Sequence, residues 1–161
     1  MDINVYINER NDFNNKFNND ELNSELGEYI FQKMLVASLK RKQSVKINVF
    51  TSFNVSQDEN IAMIAMLKKY FLNQINLEKI YLNNSYIKNF LLSVAGMFLI
   101  AISYWLNNGT NFILTEILLI MGWLIIWEMG YSVLFSNSQH RLKIRLLKKI
   151  TSCDVDVSSN K

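Results

Sequence analysis

The sequence has no proline, one cysteine and one histidine in its 161 residues. With no proline present, no helix is broken by one. The single thiol, Cys153, excludes an internal disulfide and fits a reducing compartment. One histidine and one cysteine cannot build a Cys/His metal set, and the glycines form no phosphate-cradling run. The opening residues Met1-Asp2-Ile3-Asn4 are neither basic nor apolar, so no cleavable signal peptide is expected. Internal repeats and domain linkers are missing too. The net charge is only +3, and its basic residues gather beside apolar segments. That favours anionic lipid over nucleic acid as a partner.

What the sequence does have is two long apolar runs, 90–106 and 112–135, separated by Asn107, Asn108, Gly109, Thr110 and Asn111. A helix rises about 1.5 Å per residue and a bilayer core is about 30 Å thick, so about 20 apolar residues span it. Residues 87–106 supply that length, and the second run is long enough to span with tilt. The first run holds nine Leu, Ile, Phe or Val residues and the second thirteen. At roughly −0.3 to −0.6 kcal/mol each, insertion gains on the order of −3 to −5 and −4 to −8 kcal/mol. One central acid costs roughly +2.5 to +3.5 kcal/mol, so Glu128 does not veto the second span. The soluble alternative needs two helices buried on all sides, and too little other apolar surface exists to wrap them. The first run then doubles as the targeting signal.

Charge sets the orientation. Lys68, Lys69, Lys79 and Lys88 precede the first run, and Arg141, Lys143, Arg145, Lys148 and Lys149 follow the second. The connecting loop has neither Lys nor Arg. The positive-inside rule predicts both termini in the cytoplasm and the Asn-rich tip outside.

Around the hairpin the pattern is α/β. Ile3, Val5 and Ile7 alternate with polar neighbours, as in a half-buried strand. Residues 11–19 are Asn-rich and read as a loop, with Phe13 and Phe17 either pinning it to a surface or packing against the domain. Asp20 is placed to cap a helix running to about Lys42, with Leu26, Ile30, Met34 and Ala37 as its buried stripe and Lys40, Arg41 and Lys42 closing it. Val45, Ile47, Val49 and Thr51 form a second strand, and strand–helix–strand suits a parallel crossover. Ser56-Gln57-Asp58-Glu59 is a capping box opening a helix with Ile61, Ile64, Leu67, Phe71 and Ile75 on its apolar face. That helix is expected to break at Asn83-Asn84-Ser85. A second break, at Ser136-Asn137-Ser138, leads into a basic amphipathic helix over 139–150, with Leu142, Leu146 and Ile150 on one face and Arg141, Arg145 and Lys148 on another. Cys153, Val155 and Val157 alternate as a third strand, able to rejoin the first two.

The candidate site residues lie in the hairpin and just after it. Glu128, about seven residues or roughly 10 Å inside its span, is either protonated, reaching to the interface, hydrogen-bonded within the bundle, an assembly contact or part of an ion path. Glu116 reads as interfacial. Trp123 and Trp127 share a face with Glu116, Ile120 and Gly130, and Trp123 is deep enough to suggest helix–helix packing. Ser93, Gly96 and Ser103 form a small-residue stripe that allows close backbone approach, to the second span or to another copy. Arg141, Lys143, Arg145, Lys148 and Lys149 either anchor the hairpin or bind anionic headgroups. His140 is expected to be solvated or facing headgroups rather than catalytic. Asp154 and Asp156 are expected on an exposed sheet face rather than holding Mg²⁺. No catalytic residue, metal or cofactor is assigned.

Glu28-Tyr29-Ile30, Gly122-Trp123, Trp127-Glu128, the basic segment 141–149 and the terminal strand together resemble an uncharacterised family of bacterial two-span membrane proteins. Members look more basic before the first span, where this chain has Asn83, Asn84 and only Lys88. The resemblance implies a bacterial inner membrane setting and carries over no activity. The expected fold class is an α+β membrane protein, β-α-β-α-TM-TM-α-β. A small cytoplasmic α/β domain (1–84) precedes a transmembrane hairpin (85–136), and a basic helix with a rejoining strand (137–161) follows it. The expected function is a non-enzymatic, oligomeric interaction or sensor protein. A small channel or membrane-perturbing effector, or a lipid-modifying enzyme, stands as the alternative.

Overall fold

A computed structural model describes residues 2–40, 45–106 and 112–159. The expected tip at 107–111, and Arg41 and Lys42 of the expected helix end, lie outside the described residues. The chain is α+β and mostly helical. It divides into two compact units, Met1–Leu77 with Lys143–Lys161, and Glu78–Leu142.

The first unit is built on a three-stranded parallel sheet. β1 (Asp2–Ile7), β4 (Lys46–Thr51) and β5 (Asp154–Ser159) lie in the order β1-β4-β5. Register puts Ile3, Ile47 and Val155 in one row and Val5, Val49 and Val157 in another. The period-2 alternation therefore turns one row of apolar side chains to the same side on all three strands. There they bury against Ile30 and Met34 of α2 (Ser24–Lys40), Leu67 and Phe71 of α3 (Gln57–Leu106), and Leu147 and Ile150 of α5 (Asn137–Thr151). The other face carries Asn4 paired to Asn48 at 3.1 Å and Tyr6 stacked on Phe50 at 5.2 Å. Tyr6 is 68% exposed. Parallel sheets are ordinarily covered on both faces; this one is covered by helices on one.

Several expectations are corrected here. Residues 11–19 are not a plain loop. α1 (Arg10–Phe13) leads into a small antiparallel pair, β2 (Asn14–Asn15) with β3 (Asn18–Leu22). Phe13 is buried in the core while Phe17 is 98% exposed, so only the first Phe pins the segment. Asp20 caps nothing, because it lies within β3. Asn23 does the capping instead: its Oδ1 accepts the Glu25 N–H at 2.9 Å and its carbonyl accepts the Gly27 N–H. Pairing of Leu22 with Asn14 fixes where the strand ends, and the helix starts one cap later.

The expected break at 83–85 is absent, and α3 runs unbroken through it. Asn costs a helix only about 0.7 kcal/mol relative to Ala, too little to end one that is packed along its length. Ile61 is 62% exposed, and Met63 takes its place on the buried stripe. The expected break at 136–138 is likewise a continuous backbone. α4 (Phe112–Tyr131) passes through a π-helical turn at Ser132–Ser136 directly into α5. On α5, Leu142 is 52% exposed, whereas Leu146, Leu147 and Ile150 are buried.

Cys153 is half-buried, and its Sγ donates to the Lys149 carbonyl at 3.0 Å. Burial pushes the thiol pKa up and so depletes the nucleophilic thiolate. Cys153 should therefore alkylate with iodoacetamide more slowly than an unstructured peptide thiol at pH 8, as followed by intact mass.

Candidate functional site

The second unit is a helix pair held by a narrow seam. On α3, buried and half-buried positions recur at Glu78, Leu82, Ser85, Asn89, Leu92, Gly96, Leu99 and Ser103. They are spaced alternately four and three apart, the spacing of a coiled-coil seam. On the returning helix, Thr115, Gly122 and Met129 keep a seven-residue step. The next step would be Ser136, yet the residue buried to 1% is Asn137. A π turn accommodates one extra residue, and the Asn137 N–H bonds the Ser132 carbonyl across it. The turn thus rotates the helix by one position and brings Asn137 and His140 onto the seam.

Each level of the seam has its own chemistry. Near the Leu106 end of α3 and the Phe112 end of α4, the Ser103 hydroxyl donates to the Thr115 carbonyl at 2.8 Å, both residues being buried. In the middle, Gly96 and Gly122 face each other. A Cβ on Gly96 would sit 3.1 Å from the Gly122 carbonyl oxygen, and one on Gly122 would sit 2.6 Å from Ile100 Cγ1. Small residues let helix backbones approach this closely. Further along, the Ser85 hydroxyl donates to Asn137 Oδ1 at 2.7 Å. Asn89 is 4% exposed, and neither atom of its amide has a protein hydrogen-bond partner; the same holds for Asn137 Nδ2. At the far end His140 Nδ1 lies 2.7 Å from Glu78 Oε2.

Gly96 and Ser103 lie on the seam, against α4 of the same chain, while Ser93 is half-buried beside it. His140 keeps 32% of its side chain exposed while pairing with Glu78 and stacking on Tyr81 at a 6.3 Å centroid distance. Trp123 and Trp127 are 61% and 78% exposed, so neither is packed between the two helices of this chain. Glu116 and Glu128 are also exposed. The residues missed from sequence are Glu78, Ser85, Asn89, Gly122 as the partner of Gly96, and Asn137. The usable signal was the seven-residue recurrence of Asn89, Gly96 and Ser103.

The basic residues of α5 divide into two kinds. Arg145 and Lys148 are exposed. Arg141 is held through Nε, at 3.1 Å, and Nη2 on the Tyr86 hydroxyl, with its guanidinium over that ring. Lys143 sits 5.8 Å from the Phe31 ring centroid, and Lys149 is half-buried. Asp154 and Asp156 are both exposed on β5. Among the described residues, no three His, Cys, Asp or Glu side chains converge to hold a metal ion.

Comparison with protein-family models, curated proteins and solved structures finds no match to this chain.

Proposed function

We propose that this chain is a non-enzymatic, membrane-anchored interaction or sensor protein whose helix pair spans a bilayer and associates with a second copy of itself. The observation that carries the reading is the exposure of the apolar helices. Two helices are long and apolar enough to cross a membrane, and only 17% and 11% of their most apolar windows are buried. A soluble core helix of this composition would be buried all round. The outward surface instead carries Trp123, Trp127, Leu124 and Ile120, as a lipid-facing helix would.

Glu128 supports the second copy. It is exposed, and an acid at mid-span costs roughly +2.5 to +3.5 kcal/mol. Association buries it and offers it the Trp127 indole N–H of the other copy, a donor with no acceptor role. The positive-inside rule puts both termini in the cytoplasm, where Arg145 and Lys148 meet anionic headgroups. The reading assigns the chain to the family it resembles, in the bacterial inner membrane.

The experiment is cross-linking in membranes. In a Cys153→Ser background that keeps Trp127, Leu124→Cys, 63% exposed on the same outward surface, should form a disulfide-linked dimer, and the chain should stay in the pellet after a carbonate wash. Glu128→Leu should reduce the dimer yield. Release by carbonate overturns the membrane reading; retention without cross-linking overturns self-association.

A further inference from the structure

The carboxyl ends of β1 and β4 open into a cavity of about 150 Å³. Its walls are Phe13 of α1, Phe53 just after β4, and Met63 and Met66 of α3, with Arg10 and Glu59 among its polar lining. In open α/β sheets, ligands enter outside the carboxyl ends of parallel strands. This cavity occupies that place, because α1 follows β1, Phe53 follows β4, and α3 begins beside both.

Arg10 defines the charge it would accept. Its guanidinium lies over the Phe53 ring at 5.4 Å, and its Nη2 lies 2.9 Å from Glu59 Oε1. A guanidinium carries five N–H donors in a planar fork, enough to serve two carboxylates. Glu59 does not depend on Arg10 alone. Its Oε2 accepts the Ser56 N–H at 3.0 Å, within the capping box at the start of α3. That hydrogen bond, and after it the Arg10 charge, hold the Glu59 carboxyl below its usual range. Glu59 therefore stays ionised and satisfied while Arg10 is shared.

We propose that this cavity binds a small monocarboxylate, its apolar body between Phe13, Phe53, Met63 and Met66 and its carboxylate on the Arg10 guanidinium, which it shares with Glu59. An apolar cavity of about 150 Å³ accommodates a benzene-sized body, so the class is a carboxylic acid of about six carbons. The inference rests on reading this unit as the ligand-receiving part of a sensor. A cationic ligand is disfavoured, because Arg10 already occupies the acidic side of the mouth.

The test is a titration of the full chain in lipid nanodiscs, ¹³C-labelled at the methionine methyls, with hexanoate, hexanol and hexylammonium. Hexanoate should shift the Met63 and Met66 methyls saturably. Hexanol should bind about tenfold more weakly, as should hexanoate to Arg10→Met, since each loses one charge-assisted hydrogen-bond pair. Ala62→Trp should fill the cavity and abolish the shifts; the exposed Arg10→Met variant keeps the test open should Ala62→Trp misfold. Hexanoate producing no saturable shift, binding no better than hexanol, or binding undiminished by Arg10→Met each overturns the proposal. Failure here leaves the carbonate wash of the hairpin unaffected, and release by carbonate leaves this cavity untouched.

Discussion

Gly122→Leu should force the helix pair apart, at a cost of about 1–3 kcal/mol. Even a methyl group at this position would meet Ile100 Cγ1 at 2.6 Å and the Gly96 carbonyl oxygen at 3.0 Å. Neither contact relaxes easily. One is the branch of a β-branched side chain and the other is backbone, so the helices themselves must move. Separation also pulls the Ser103 hydroxyl off the Thr115 carbonyl. The control is built into the same helix: a Cβ on Gly130 meets nothing within 4 Å. Gly130→Leu should be tolerated, and the higher helix propensity of Leu over Gly should stabilise it slightly. Denaturation of the two variants in the same detergent, followed by helical circular dichroism, separates them. Equal loss at both positions would remove the Gly96–Gly122 crossing from the account.

The second large effect belongs to the sheet unit. Phe71→Ala should destabilise it by about 3–5 kcal/mol, the usual cost of emptying a buried aromatic site. Phe71 is 1% exposed and belongs to the core that includes Leu67, Ile47 and Ile150. Phe17→Ala removes the same atoms from a side chain that is 98% exposed and should change stability by no more than about 0.5 kcal/mol. Hydrogen exchange at the β1 and β4 amides reads this unit specifically. Comparable acceleration by both variants would contradict the placement of α3 over the sheet.

The contrast between the two Phe marks how much was legible. Both stand among polar neighbours, Asp12 and Asn14 for one and Lys16 and Asn18 for the other, and nothing local distinguishes the buried Phe13 from the exposed Phe17 four residues on. Their separation comes from the β2–β3 pair, a bulged and Asn-rich hairpin whose register is set by contacts rather than by composition. The same holds for the cap of α2. Asp20 and Asn23 are chemically equal candidates, and the strand pairing of Leu22 chose between them.

The hairpin shows the limit from the other side. A run of apolar residues announces a helix long enough to cross a bilayer, but its apolar positions say nothing of which face meets the partner helix. Only the small and polar residues carry that information, and here they are few. Ser93 looked equivalent to Gly96 and Ser103, yet it falls beside the seam.

By itself the sequence determined what is local and repeated: the alternation of Ile3, Val5 and Ile7 and of Ile47 and Val49, the capping box at Ser56 and Glu59, and two runs of apolar residues long enough to cross a bilayer. Those patterns are set by side-chain periodicity and chain length, and no distant residue can undo them. Tertiary structure alone decided the continuity of α3 through Asn83 and Asn84, the pairing of Glu78 with His140, the meeting of Gly96 with Gly122, and the π turn that rotates Asn137 inward. The pairings join residues far apart in the chain, and the unbroken helix and the π turn serve them, because local preferences of a few tenths of a kcal/mol per residue yield to packing energies several times larger.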